Sequence, residues 1–161
     1  ITCMAPTKCF NMAGLQTAAV MVPNKFLRHK VWRALNTDEV AEPNAFAITA
    51  AVAAFTKGEP WLEELRTYLW ENRKTVCSFV EENLPQIHIV DADATYLMWL
   101  DCSALTDDSV AFTQMIREKT GLYLSEGAEF GGNGRYFVRL NIACPRSVLM
   151  EGLDRLKRAF V

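Results

Sequence analysis

From Trp61 to Asn83 the apolar residues Leu62, Leu65, Leu69, Val76, Phe79 and Val80 recur about every three or four positions, which is the spacing of one face of an α-helix. Pro60 suits the first turn of that helix, and Leu84-Pro85 stops it. Near the other end the rhythm changes to two. Tyr136, Val138, Leu140 and Ile142 fall on one side of a strand, while Phe137, Arg139, Asn141 and Ala143 fall on the other. Ala45 to Thr56 is apolar on nearly all sides, with Asn44 placed to cap its start and Lys57-Gly58 to end it. A helix with no polar face wants burial on more than one side, so this segment is the expected sticky surface.

The remaining segments alternate between the two periods without repeats or low-complexity tracts. Ile1 to Ala5 reads as a short buried strand that delivers Lys8 onto a loop, and Asn11 to Val22 is apolar and small. Lys25 to Leu35 reads as a helix and the acidic stretch Thr37 to Pro43 as a loop. After the long helix the expected order is strand (Ile87 to Val90), strand (Thr95 to Leu100), helix (Asp107 to Thr120), strand (Leu122 to Leu124), strand (Tyr136 to Ile142) and helix (Arg146 to Phe160). That order is α+β, with helices covering a mainly antiparallel sheet.

Composition narrows the function classes. Half of the 161 residues are apolar and 22% are charged, enough to bury a substantial core. A formal net charge of −2, without a basic run, argues against a nucleic-acid partner. Neither a signal-peptide pattern nor an unbroken apolar run of membrane length occurs, so no membrane partner is expected. Cys3, Cys9, Cys77, Cys102 and Cys144 are odd in number and form no C-x-x-C pair; they read as reduced thiols in a cytoplasmic protein, with no metal site. His29 and His88 have no partnered spacing with acid or cysteine, and Met98 and Trp99 read as core.

Three features invite chemistry. Arg139 projects from the less aliphatic side of its strand, where a guanidinium fork could grip a carboxylate bidentately; on spacing alone a solvated strand face or an internal acid partner is the favoured reading. Lys8 follows a short apolar strand; on position alone such a lysine is most often a surface residue. The glycines from Gly127 to Gly134 suggest a phosphate loop, but they lead into a strand and lack a following Gly-Lys-Ser/Thr, so that reading fails.

Two phrases combine into a resemblance. Ala5-Pro6-Thr7-Lys8-Cys9-Phe10-Asn11 resembles the segment that carries the Schiff-base lysine of fold-type I pyridoxal-phosphate (PLP) enzymes, and Arg139-Leu140-Asn141-Ile142-Ala143-Cys144-Pro145-Arg146 resembles their substrate-carboxylate segment. Gly58-Glu59-Pro60-Trp61-Leu62, Ala94-Thr95-Tyr96-Leu97-Met98-Trp99-Leu100-Asp101 and Gly127-Ala128-Glu129-Phe130-Gly131 look like the cystathionine β-lyase branch of the aminotransferase family. The resemblance spans only the back half of such an enzyme, so a fragment is expected. It would comprise a remnant of the large PLP-binding domain over residues 1–60, then a linking helix and the small domain over residues 61–161.

The resemblance implies PLP as cofactor, held by Lys8, with the Thr7 hydroxyl on its phosphate. Cys9 replaces an expected threonine, which removes a second hydroxyl contact. Arg139 would hold the substrate carboxylate, and Phe130 would line the pocket. Gln16 stands where many aminotransferases of this fold have a phosphate-binding arginine, which favours lyase chemistry. The implied reaction cleaves a cystathionine-like or cysteine-like amino acid to a thiol, pyruvate and ammonia, in an enzyme that is usually a homodimer. An aminotransferase is the alternative on the same scaffold, and a noncatalytic folded fragment is the alternative for this chain alone.

Overall fold

Thr2–Met4 (β1) pairs antiparallel with Ala19–Met21 (β2), matching Thr2 to Met21 and Met4 to Ala19. This is a computed structural model; it describes residues 1–160 and divides into two units, one from Ile1 to Arg66 and one from Thr67 on. In the first unit both strands are exposed, which corrects the expectation of a buried strand at the start: a two-stranded ribbon has no second layer of its own. β2 falls within an apolar, small-residue run that gave no alternation to read.

Lys25–Thr37 (α1) begins where Asn24 Oδ1 accepts the backbone N–H groups of Phe26 and Leu27, at 3.0 and 3.1 Å. The next helix is Ala47–Lys57 (α2), two residues later than the sequence suggests. Asn44 does not cap it directly. Its Oδ1 accepts from Phe46 N–H at 3.1 Å, and its Nδ2 donates to the Leu15 carbonyl at 2.6 Å, so its side chain ties the approach to α2 to an earlier loop. Ala47 and Ala54 are buried, while Ile48, Val52 and Phe55 stay exposed, consistent with a helix that has more apolar surface than this unit can cover. Glu59–Asn83 (α3) follows, with Pro60 in its first turn, where its missing N–H costs nothing.

The second unit is α+β. Its sheet holds His88–Ile89 (β3), Leu97–Asp101 (β4), Ser125–Glu126 (β5) and Phe137–Asn141 (β6) in the order β3-β4-β6-β5, with every pairing antiparallel. Ser109–Thr120 (α4) is capped by Asp108 Oδ1 and ended by Gly121, whose φ of 71° is left-handed. Arg146–Arg158 (α5) is the last element among the described residues. The expected strand at Leu122 to Leu124 lies one step further on. Leu124 is buried, but the ladder bonds form at Ser125 and Glu126.

Side chains from α3, α4 and α5 pack with Met98 and Leu100 of β4 and Val138 of β6 into one apolar core. Val76, Ile116, Leu153 and Leu156 from the helices are almost completely buried there. Alternation along β4 and β6 therefore sends Trp99, Phe137 and Arg139 to the opposite side. Trp99 is half-buried on that side, which corrects its reading as core; Met98 is core as expected.

Candidate functional site

The first candidate position is the turn that follows β1. Pro6 is buried, and two backbone bonds close the turn: Phe10 N–H donates to the Pro6 carbonyl at 3.0 Å and Met12 N–H to the Thr7 carbonyl at 2.9 Å. Asn11 takes a left-handed φ of 52°, a conformation asparagine tolerates better than most residues. Phe10 is the anchor. Its ring stacks on Trp61 at 6.0 Å and meets the edge of Phe55 at 6.2 Å, and Gly58 is a glycine because a Cβ there would lie 2.5 Å from the Phe10 ring.

Lys8 is exposed on this fixed turn, and among the described residues its amine has no hydrogen-bond or ion-pair partner. The half-buried Thr7 hydroxyl beside it is also without a partner among the described residues. An unpaired primary amine next to a free hydroxyl suits a ligand that presents a carbonyl carbon and an anionic oxygen. Cys9 is exposed and Gln16 is exposed with φ at 47°; among the described residues neither side chain has a polar partner.

The second candidate position lies on the side of the sheet opposite the core that α3, α4 and α5 form. Arg139 in β6 faces Trp99 in β4 and Ser125 in β5, as the register dictates. Its Nη2 donates to Ser125 Oγ at 3.2 Å and lies 3.9 Å from Glu129 Oε1. The guanidinium carbon sits 4.4 Å from the centre of the Phe130 ring, a cation–π distance. Phe130 in turn meets the Trp99 ring edge-on at 5.2 Å and 88°. The side chain is about a quarter exposed. All these polar contacts use one nitrogen, so the remaining donors of the fork are open to a carboxylate.

Beside this cluster is a hollow of ≈ 240 Å³ lined by Val90, Trp99, Phe130, Phe137 and the loop from Gly127 to Gly134. That loop forms two short 3-10 turns, Gly127–Phe130 and Gly134–Tyr136. Of its glycines, Gly127 and Gly134 pack backbone against backbone, and Gly131 and Gly132 take left-handed φ values of 76° and 58°.

Arg139 and Phe130, singled out in the sequence, thus come together in the second unit, and Thr7 and Lys8 adjoin in the first. Ser125, Glu129 and Trp99 escaped the sequence reading. Alternation gave a signal for Trp99, since Met98 and Leu100 on either side point to the core. Ser125 and Glu129 gave none, because their nearness to Arg139 depends on strand register and on the loop's path.

The chain is similar to known proteins over almost its whole length. The pattern of "Aminotransferase class I and II" matches residues 1–156. Cystathionine beta-lyase PatB of Bacillus subtilis is 40% identical over 159 residues, covering 99% of this chain and 41% of PatB. Among solved structures, cystalysin from Treponema denticola, which contains a pyridoxal 5′-phosphate cofactor, superposes with a TM-score of 0.92 at 29% identity over 98% of this chain and 40% of its own. The PLP-bound C-S lyase from Staphylococcus hominis superposes with a TM-score of 0.84 at 30% identity, over 99% of this chain and 41% of its own. The chain spans about two fifths of the length of the relatives it matches.

Proposed function

This chain belongs to the aminotransferase class I and II family, and from that premise we propose that it forms the C-terminal part of a PLP-dependent carbon–sulfur β-lyase. Its substrates are cystathionine-like or cysteine-like amino acids, which it cleaves to a thiol, pyruvate and ammonia. The observation that carries this reading is the unengaged Lys8 amine, held on a turn that Phe10 anchors. Lyase chemistry has further support from the two relatives described as lyases and from Gln16, which stands where an aminotransferase would carry a phosphate-binding arginine.

Lys8 and Thr7 fit the cofactor by the chemistry of their donors: an amine for its aldehyde and a hydroxyl for one phosphate oxygen. When bound, PLP supplies an electron sink for the carbanion left at Cα. Arg139 holds the α-carboxylate through its free fork donors and so fixes the orientation of the Cα–H bond. Phe130 backs that guanidinium and closes one side of the pocket. Lys8 Nζ accepts the α-proton, and the thiolate departs from Cβ. With one water consumed, the remaining carbon skeleton leaves as pyruvate and its nitrogen as ammonia.

In the whole enzyme, residues 1–60 belong to the large cofactor domain and residues 61–161 to the linking helix and small domain. The enzyme is a cytoplasmic homodimer, in keeping with five thiols that form no disulfide among the described residues.

The test uses the full-length enzyme. Pyruvate should appear from cystathionine without any keto-acid acceptor, and Lys8→Ala should abolish steady turnover. Strict dependence on a keto-acid acceptor would favour an aminotransferase, and retained turnover in Lys8→Ala would remove the assignment.

A further inference from the structure

The proposed reaction makes no use of α1 or of the turn after it. α1 carries Lys25, Arg28, Lys30 and Arg33 and no acid. Its inner side holds Val31 and Leu35, both half-buried, and Arg28 Nη1 donates to the Val22 carbonyl at 3.4 Å. The helical period puts Phe26, His29, Lys30, Trp32 and Arg33 on the outer side. Phe26 is 68% exposed there and Trp32 59%. Lys30 Nζ stands 4.6 Å from the centre of the Phe26 ring, and His29 stacks on Trp32 at 6.3 Å. Exposed aromatic rings beside cations are the composition of a protein interface more than of a solvated helix face.

The chain then reverses its charge. Val40 N–H donates to the Leu35 carbonyl at 3.0 Å, and Glu39 takes a left-handed φ of 54°, a costly conformation for a residue with a long side chain. This turn leaves Asp38, Glu39 and Glu42 exposed around Val40, which is itself 66% exposed. Among the described residues no ion pair or side-chain hydrogen bond engages Lys25, Lys30, Arg33, Asp38, Glu39 or Glu42.

A basic, aromatic helix that runs into an acidic turn is complementary to itself. A two-fold axis can lay the helix of one copy against the turn of the other, twice over, and so satisfy both charges while burying Phe26, Trp32 and Val40. A polyanion, whether a lipid surface or a nucleic acid, would gain from the helix and be repelled by the turn.

We propose that α1 and the turn over residues 38–42 form the contact between two copies of this chain, with Lys30 and Arg33 of one copy facing Asp38 and Glu42 of the other. The proposal rests on the homodimer reading above and adds to it the surface and the charge pairing.

The experiment is sedimentation equilibrium of the full-length holoenzyme. One variant carries Lys30→Glu with Arg33→Glu, and the other carries Asp38→Lys with Glu42→Lys. Each alone sets like charges against each other at both contacts and should raise the dimer Kd by about tenfold or more. An equimolar mixture of the two restores opposite charges at both contacts, so a heterodimer of near wild-type strength should form. That recovery also shows that both variants are folded. Added salt should weaken the wild-type dimer.

Unchanged dimers in both variants would overturn the proposal, as would dissociation that mixing does not reverse. A wild type that sediments as a monomer removes the homodimer reading, and the proposal falls with it. Wild-type binding to phosphatidylglycerol vesicles, lost in Lys30→Glu with Arg33→Glu while dimer strength holds, would assign α1 to an anionic membrane and overturn the proposal.

Discussion

Gly127 and Gly134 lie backbone against backbone: a Cβ built on Gly134 would come within 2.6 Å of the Gly127 carbonyl carbon, closer than real Cβ atoms approach. A Cβ on Gly127 would come within 2.5 Å of the Phe137 carbonyl oxygen. The two glycines pinch the ends of the loop together at the start of β6. The loop between them carries Glu129 and Phe130, so this close approach sets where both residues stand relative to Arg139.

Replacing Gly134 by alanine should force the pinch apart and destabilise the fold by about 1–3 kcal/mol, the usual cost of overpacking. Urea unfolding of the variant beside the wild type measures this. An unchanged midpoint would mean that the loop relaxes freely and that the pinch has no positioning role.

Asn72 is completely buried on α3 and bonds the far end of β6. Its Nδ2 donates to the Ile142 carbonyl at 2.8 Å and the Cys144 carbonyl at 3.1 Å, while its Oδ1 accepts from Arg146 Nε at 2.7 Å. Truncating it to alanine leaves three polar groups without their partner, at a cost of about 1–3 kcal/mol for each one that stays dry. Asn72→Ala should lose at least about 2 kcal/mol in denaturant unfolding; a loss below about 0.5 kcal/mol would show that water replaces the amide.

Burial pushes the Cys102 thiol from 9.0 up to about 12, with a smaller contribution from the charge of Asp101. The thiol should therefore resist alkylation at pH 8 in the folded protein and react once the protein is denatured. The sign of the linked pH effect follows from the same shift. Between pH 9 and 12 the folded state keeps a proton that the unfolded state gives up, so this group's contribution to stability is full below 9 and falls as pH rises toward 12. Mass mapping after brief alkylation checks the first point. Rapid native labelling of Cys102 would contradict it.

Much of the fold was readable because its main elements carry long, clean periods. The α3 stripe ends at Asn83 just before Leu84-Pro85, and the alternation of β6 places Val138 inward and Arg139 outward, as its sequence indicates. The short elements were not readable. β5 is two polar residues, too few to show a period, and its identity comes from the long-range pairing of Ser125 with Arg139. β2 is hidden in an apolar run, and the exposure of β1 depends on what lies over it, which no local pattern encodes. At the candidate site Arg139 and Phe130 stood out by phrase and alternation. Glu129 looked like any loop acid, because only the pinched glycines bring it beside the guanidinium.

The most direct test of the central claim is to load the full-length enzyme with pyridoxal phosphate, reduce it with borohydride and map the modified peptide. The account predicts one predominant adduct, on Lys8, that a cysteine-like substrate suppresses. A predominant adduct on another lysine, with Lys8 unmodified, would contradict it.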